Sequence, residues 1–215
     1  MKLIKGIIFD LDGTLLNTLD DIFSSINHVM QINNFPVKSI EEIKKNLGYG
    51  SKYLISNLLP NQDSNIIEKI TKDYNDYYNI NNNIKTKAYN KINDLLKILK
   101  EKKLILAITS NKNQEAVIQL NKEQFDNQID ICLGEVKGVP LKPDPTIIQI
   151  ALNKMCLNLE EVIYIGDTEV DMQTAKNANI RKIAVTWGFR SYDLLKSLEP
   201  DYIISDPFEV IKIVE

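Results

Sequence analysis

Apolar positions recur along this chain in two spacings. The first is the short unbroken run. Stretches 3–9, 104–109, 129–133, 162–165, 182–186 and 202–204 are apolar, often β-branched and too short for helices. They predict strands buried on both faces. The second spacing returns every three or four residues. Ile22, Ile26, Val29 and Met30 mark one amphipathic helix. Ser39 and Glu42 form a capping box for a second, which carries Ile43 and Leu47. Leu54, Ile55, Leu58 and Leu59 continue as helix until Pro60, and Ile66, Ile67, Ile70, Tyr74 and Tyr77 form another stripe. Further helices are predicted at Ile92–Leu99, around Val117 and Leu120, at Ile147–Met155 after Pro145 in a first turn, and over 169–178.

The order of these elements sets the architecture. Strands alternate with helices from residue 92 onward, which predicts an α/β fold with a parallel sheet covered on both faces. Strands two to five recur at intervals near a βαβ unit of ~30 residues. The step from the first strand to the second takes about 95, too much for a crossover of normal length. The excess is all helical. It predicts a core of residues 1–15 and 85–215 with a small helical cap, residues 16–84, inserted after the first strand. Hinges are expected near 16–18 and 81–86.

Composition adds exclusions. The chain has 215 residues, 44% hydrophobic and 26% charged, as in an ordinary globular protein. A net charge of −3 leaves no basic footprint for nucleic acid. No apolar run nears the ~20 residues of a membrane span, and the first residues read as a strand rather than a signal peptide. Cys132 and Cys156 lack metal-ligand spacing and are expected as reduced core thiols of a cytoplasmic protein. His28, the single histidine, and Trp187 are expected to pack.

Polar residues gather where the predicted strands end. Asp10 and Asp12 stand two apart after the first run, so both face one spot, and Gly13 permits a turn there. Asp-x-Asp alone also fits an acidic turn. Thr109-Ser110-Asn111 follows the second run and suits either a helix cap or the holding of phosphoryl oxygens at a helix N-terminus. Lys142 precedes Pro143-Asp144-Pro145, and a turn alone does not call for a lysine. Asp167 and Asp171 follow Gly166, four apart. In open parallel sheets, sites form at the carboxyl ends of strands. Four carboxylates and one lysine converging there need a further cation. Mg²⁺ suits carboxylates plus a phosphate.

These residues in this order resemble the haloacid dehalogenase-like hydrolase superfamily, over essentially the whole chain. The matching pieces are Asp10-Leu11-Asp12-Gly13-Thr14, Thr109-Ser110-Asn111, Lys142-Pro143 and Gly166-Asp167 with Asp171. The resemblance implies a Rossmann-like three-layer α/β/α core with a helical cap of the first type. It implies a Mg²⁺-dependent phosphatase with Asp10 as nucleophile, forming an aspartyl phosphate, and Asp12 as general acid and then base. Thr109 would bind the phosphoryl group and Lys142 would hold Asp10 and the developing charge. Mg²⁺ would be bound by Asp10, the Asp12 carbonyl and Asp167, with Asp171 ligating through water or pairing with Lys142. Gly13, Thr14, Ser110, Asn111 and Lys52 are the candidate substrate-binding residues, and Arg190 is a further one.

Segments 13–18, 48–50, 187–190 and 200–204 resemble the phosphoglycolate phosphatase subfamily. Asn17 and Leu141 depart from its commoner Asp and Gly. The expected partner is a small phosphorylated metabolite, with 2-phosphoglycolate the favoured one, bound by a monomer or homodimer. Pyrophosphatase or nucleotidase specificity, a sugar phosphomutase and a non-catalytic binding protein are the alternatives. Ile22, where mutase relatives carry a histidine, counts against the mutase, and the intact acid–lysine set counts against the binding protein.

Overall fold

The structure is a computed structural model and describes residues 3–215; positions 1 and 2 of the expected core segment lie outside the described residues. The six predicted strands all form and join one parallel sheet. They are β1 (Gly6–Phe9), β4 (Ile105–Asn113), β5 (Ile131–Glu135), β6 (Val162–Gly166), β7 (Arg181–Val185) and β8 (Tyr202–Ile204). Their order across the sheet is β5-β4-β1-β6-β7-β8, the doubly wound arrangement. Strand order reverses between β1 and β6, which opens a crevice above their carboxyl ends.

Alternation of side chains splits the core into two faces. Ile7 and Phe9 of β1 pack with one apolar cluster, under helices α5 (Ile92–Glu101), α6 (Gln114–Phe125) and α10 (Glu209–Val214). Ile8 packs on the opposite side with Tyr164 and the inner faces of α7 (Thr146–Met155) and α8 (Glu169–Asn177). Short α9 (Tyr192–Ser197) covers the far end, where its Leu195 packs with Met172 of α8 and Ala184 of β7. The result is three layers, α/β/α.

The excess length between β1 and β4 holds α1 (Leu19–Ile32), α2 (Ile40–Lys45), α3 (Ser51–Leu58) and α4 (Ser64–Asn81). These pack on their own apolar cluster, centred on Ile26, Val29, Ile55 and Ile70. The Ser39–Glu42 capping box at α2 is formed as expected. On α4 the buried tyrosines are Tyr74 and Tyr78. Tyr77 stays half-exposed and stacks on His28 at 3.9 Å.

Several boundaries differ from the periodicity. β1 starts at Gly6, because Leu3 is exposed. β5 starts two residues late, because Asp130 turns its carboxylate back to accept from the Leu106 amide at 2.9 Å. β4 runs on through Thr109, Ser110 and Asn111 to Asn113. The next helix is capped by Asn113, whose side chain accepts from the Glu115 amide at 2.9 Å. Thr109–Asn111 is therefore not a helix N-terminus. Cys156 is exposed at the end of α7 and Cys132 half-buried, so neither is a core thiol. Both are free. Among the described residues no helix is long and apolar enough to cross a membrane.

One feature left no apolar pattern to read. The two connections into and out of the helical segment pair as an antiparallel ribbon, β2 (Leu16–Asn17) against β3 (Lys87–Ala88). Beside it, the buried Asp21 carboxylate of α1 accepts from the amides of Ile84, Lys85 and Thr86 and from the Thr86 hydroxyl, at 2.8–3.0 Å. Asp21 thus ties the return connection to the helical segment. Replacement Asp21→Ala strands these donors and is expected to lower stability by about 3 kcal/mol in urea denaturation.

Candidate active site

Four charged side chains converge above the crevice. Asp10 follows β1 directly, and its amide donates to the Ile165 carbonyl at 2.8 Å. Lys142 comes from the loop before α7, and Asp167 and Asp171 from the end of β6 and the start of α8. The Lys142 ammonium, almost completely buried, reaches Asp10 at 2.7 Å and Asp171 at 2.8 Å. It also donates to the Tyr164 hydroxyl at 3.0 Å and the Thr109 carbonyl at 3.1 Å. Burial alone would depress Lys142, but Asp10 and Asp171 outweigh it and hold the amine well above its ordinary value.

The three carboxylates here, Asp10, Asp167 and Asp171, are buried and within 4.8 Å of one another. They differ in what satisfies them. Asp171 accepts from Lys142, Tyr164, the Thr168 hydroxyl at 2.6 Å and the Thr168 amide at 3.0 Å. Burial pushes it up, but Lys142 and these donors win, and it sits below the usual carboxylate range. Asp171 thus pairs with Lys142, one of its two expected roles. Among the described residues Asp167 has only neutral donors, the Thr14 hydroxyl at 2.9 Å and the Phe189 amide at 2.7 Å. Burial, Asp171 and Asp10 raise it well above an ordinary aspartate. Asp10 is pushed up to about 7 by burial and Asp171, against Lys142. A buried cluster with more anions than cations suits a divalent ion with hard oxygen ligands. Asp10 and Asp167 are the carboxylates with capacity for it.

Asp12 faces a different neighbour. Its carboxylate pairs with Lys112 at 3.0 Å. Lys112 is only 6% exposed at the side chain, donates to the Tyr78 hydroxyl at 2.7 Å and lies over the Tyr78 ring. Sequence reasoning missed Lys112. Its one signal was adjacency to Asn111. Asp10, Asp12 and Lys112 line a cavity of about 80 Å³, roofed by Ile22, Leu54 and Tyr74 of the helical segment. That is room for one small ester or a handful of waters. The buried Thr109 hydroxyl lies near Tyr164 but makes no well-formed hydrogen bond.

The other candidates take varied places. Gly13 (φ 89°) lies against Asp167, where a Cβ would come within 2.3 Å of the carboxylate. Thr14 donates to Asp167 and is not among the cavity-lining residues. Ser110 and Asn111 do line the cavity. The Asn111 amide is already engaged, donating to the Gly48 and Lys142 carbonyls at 2.9 Å and accepting from the Lys142 amide at 2.8 Å. Lys52 is not brought in. It is exposed on α3 and pairs with Glu68 at 3.1 Å, because the inward face of that helix is taken by Leu54, Ile55 and Leu58. Arg190 is turned to Glu169 and the carbonyls of Lys44, Lys45 and Leu47. Trp187 packs as expected and donates to the Thr14 carbonyl.

The model of the family described as haloacid dehalogenase-like hydrolase matches residues 7–185. A phosphoglycolate phosphatase of Aliivibrio fischeri is 26% identical, over 97% of this chain and 95% of its own. A protein of Halalkalibacterium halodurans named pyrophosphatase PpaX is 28% identical, over 98% and 97%. A solved structure described as a predicted phosphoglycolate phosphatase, from Haemophilus somnus, superposes with a TM-score of 0.92 at 25% identity, covering 100% of both chains.

The charge balance makes two substitutions differ in sign. Lys142→Met leaves Asp10 and Asp171 buried without a cation and is expected to cost about 3 kcal/mol in the metal-free protein. Asp10→Asn removes one of the crowded anions while keeping an acceptor for Lys142, and is expected to be at least as stable as the parent. Chemical denaturation in the presence of a chelator measures both.

Proposed function

The chain belongs to the haloacid dehalogenase-like hydrolases, and we propose that it is a Mg²⁺-dependent phosphatase acting on a small phosphomonoester through Asp10. The observation that carries this reading is the buried cluster of three carboxylates around Lys142, with Asp10 at the edge of the cavity. Asp10 attacks phosphorus and forms the aspartyl phosphate. Asp12 gives a proton to the leaving oxygen, then takes one from the water that hydrolyses the intermediate. Lys142 holds Asp10 in place and offsets charge on the transferring group. The Thr109 hydroxyl, with no well-formed bond of its own, can donate to a phosphoryl oxygen. Asp10, the Asp12 carbonyl and Asp167 would hold Mg²⁺, which when bound supplies charge neutralisation at the phosphate. Asp171 serves through Lys142.

Residues 16–84 act in this reading as a cap over the core of 1–15 and 85–215. Their separate apolar cluster and the ribbon at the junction support this. The cap roof limits the cavity to a small substrate, and Lys112 offers a buried cation to a second anionic group. Both favour 2-phosphoglycolate over a nucleotide. The same lysine favours inorganic pyrophosphate as the second reading. The free thiols are in keeping with a reducing cytoplasmic setting.

Phosphate release from 2-phosphoglycolate, pyrophosphate and nucleoside monophosphates ranks these substrates. Asp10→Asn is expected to lower turnover by more than about 10³-fold; undiminished turnover in that variant defeats the assignment. Lys112→Met should raise KM for 2-phosphoglycolate more than for an aryl phosphate. At a hundredfold excess over its Kd, Mg²⁺ is expected to stabilise the protein by about 2.7 kcal/mol, an increment that Asp167→Asn removes.

A further inference from the structure

The loop after β7 touches four different parts of the molecule with four consecutive residues. Trp187 Nε1 donates to the Thr14 carbonyl at 2.9 Å, at the turn that leads into the helical segment. The Gly188 backbone lies on Asp167, where a Cβ would fall 2.3 Å from the carboxylate. The Phe189 amide donates to that carboxylate at 2.7 Å. The Phe189 ring, only 7% exposed, is buried in the apolar cluster of the cap helices. Every other residue of that cluster lies between Leu19 and Tyr78. Arg190 then forms two bonds to Glu169, at 2.6 and 2.9 Å, and donates to the carbonyls of Lys44, Lys45 and Leu47. Those carbonyls close the C-terminal end of α2, where unpaired acceptors and the helix dipole both favour a cation.

We propose that Phe189 and Arg190 are positioning residues that couple seating of the cap to the orientation of Asp167. One amide holds an oxygen of Asp167 while its own side chain is lodged in the cap. Lifting the cap exposes that ring and strips Arg190 of three acceptors, so the loop cannot keep its place and the Asp167 bond loosens. Coupling of this kind is reciprocal. A seated cap tightens Asp167, and whatever grips Asp167 favours a seated cap. The inference rests on the reading of Asp167 as a Mg²⁺ ligand only where it speaks of metal affinity.

The test has two arms. In the first, Mg²⁺ is titrated by calorimetry and by the fluorescence of Trp187, the chain's single tryptophan. Phe189→Ala and Arg190→Met leave all the proposed ligands intact, and each is expected to weaken Mg²⁺ binding about tenfold, with Phe189→Leu recovering part of the loss. The second arm uses metal-free protein and hydrogen exchange. Arg190→Met should speed exchange of the Phe189 amide, and Asp167→Ala should speed exchange at the end of α2. Circular dichroism checks that each variant is folded. Mg²⁺ affinities within twofold of the parent, or exchange unchanged at the distant site, overturn the coupling. A parent protein that binds no Mg²⁺ overturns the metal reading instead, and the exchange arm then decides the coupling alone.

Discussion

The site is organised by a shortage of positive charge. One buried lysine meets three buried carboxylates in a space where unpaired ions are expensive. The surroundings divide them. Asp171 takes Lys142, a tyrosine and the start of a helix, and becomes a fixed anion. Asp10 shares the same lysine and remains partly uncompensated. Asp167 receives neutral donors alone. The arrangement leaves the buried carboxylates with fewer cations than anions among the described residues.

The doubly wound sheet makes that shortage possible. β1 and β6 lie side by side with their carboxyl ends at the reversal of strand order, so residues 10 and 167 meet although they are far apart in sequence. The loop before α7 brings Lys142 between them. Burial on both faces of the sheet removes water from the floor of the crevice, which raises the cost of every unpaired charge there. The helical segment closes the remaining side. It contributes apolar side chains and Tyr78, and its contact with Lys112 places a second cation beside Asp12.

The sheet and the helical segment are joined by more than their covalent links. Asn111 donates to Gly48, Lys112 to Tyr78, and Arg190 to the end of α2. Each core residue in these contacts is in or next to the acid–lysine cluster. The junction itself is a two-residue ribbon with Asp21 beside it. The interface is therefore polar near the site, while Phe189 inserts into the apolar cluster of the helical segment.

Local pattern was enough for all six sheet strands and the helical segment, and it marked Asp10, Lys142, Asp167 and Asp171, which the structure brings together. Short apolar runs and helical stripes reflect burial directly, and acids at strand ends reflect the one place where an open sheet can hold them. Pattern was not enough for side-chain direction. Lys52 and Lys112 both sit next to Gly or Asn in sequence, yet one is exposed and the other is buried in the cavity. That difference depends on β4 continuing to Asn113 and on α4 supplying Tyr78, neither of which is local to Lys112. Asn111 and Thr14 look like substrate ligands in sequence and prove to be engaged with Lys142 and Asp167. The β2–β3 ribbon is too short for any periodicity. Sequence alone determined which acids and which lysine stand at the strand ends, because residue type at a strand end is a local property. Only the tertiary structure decided which charges pair, because pairing depends on distances between segments that meet only after folding.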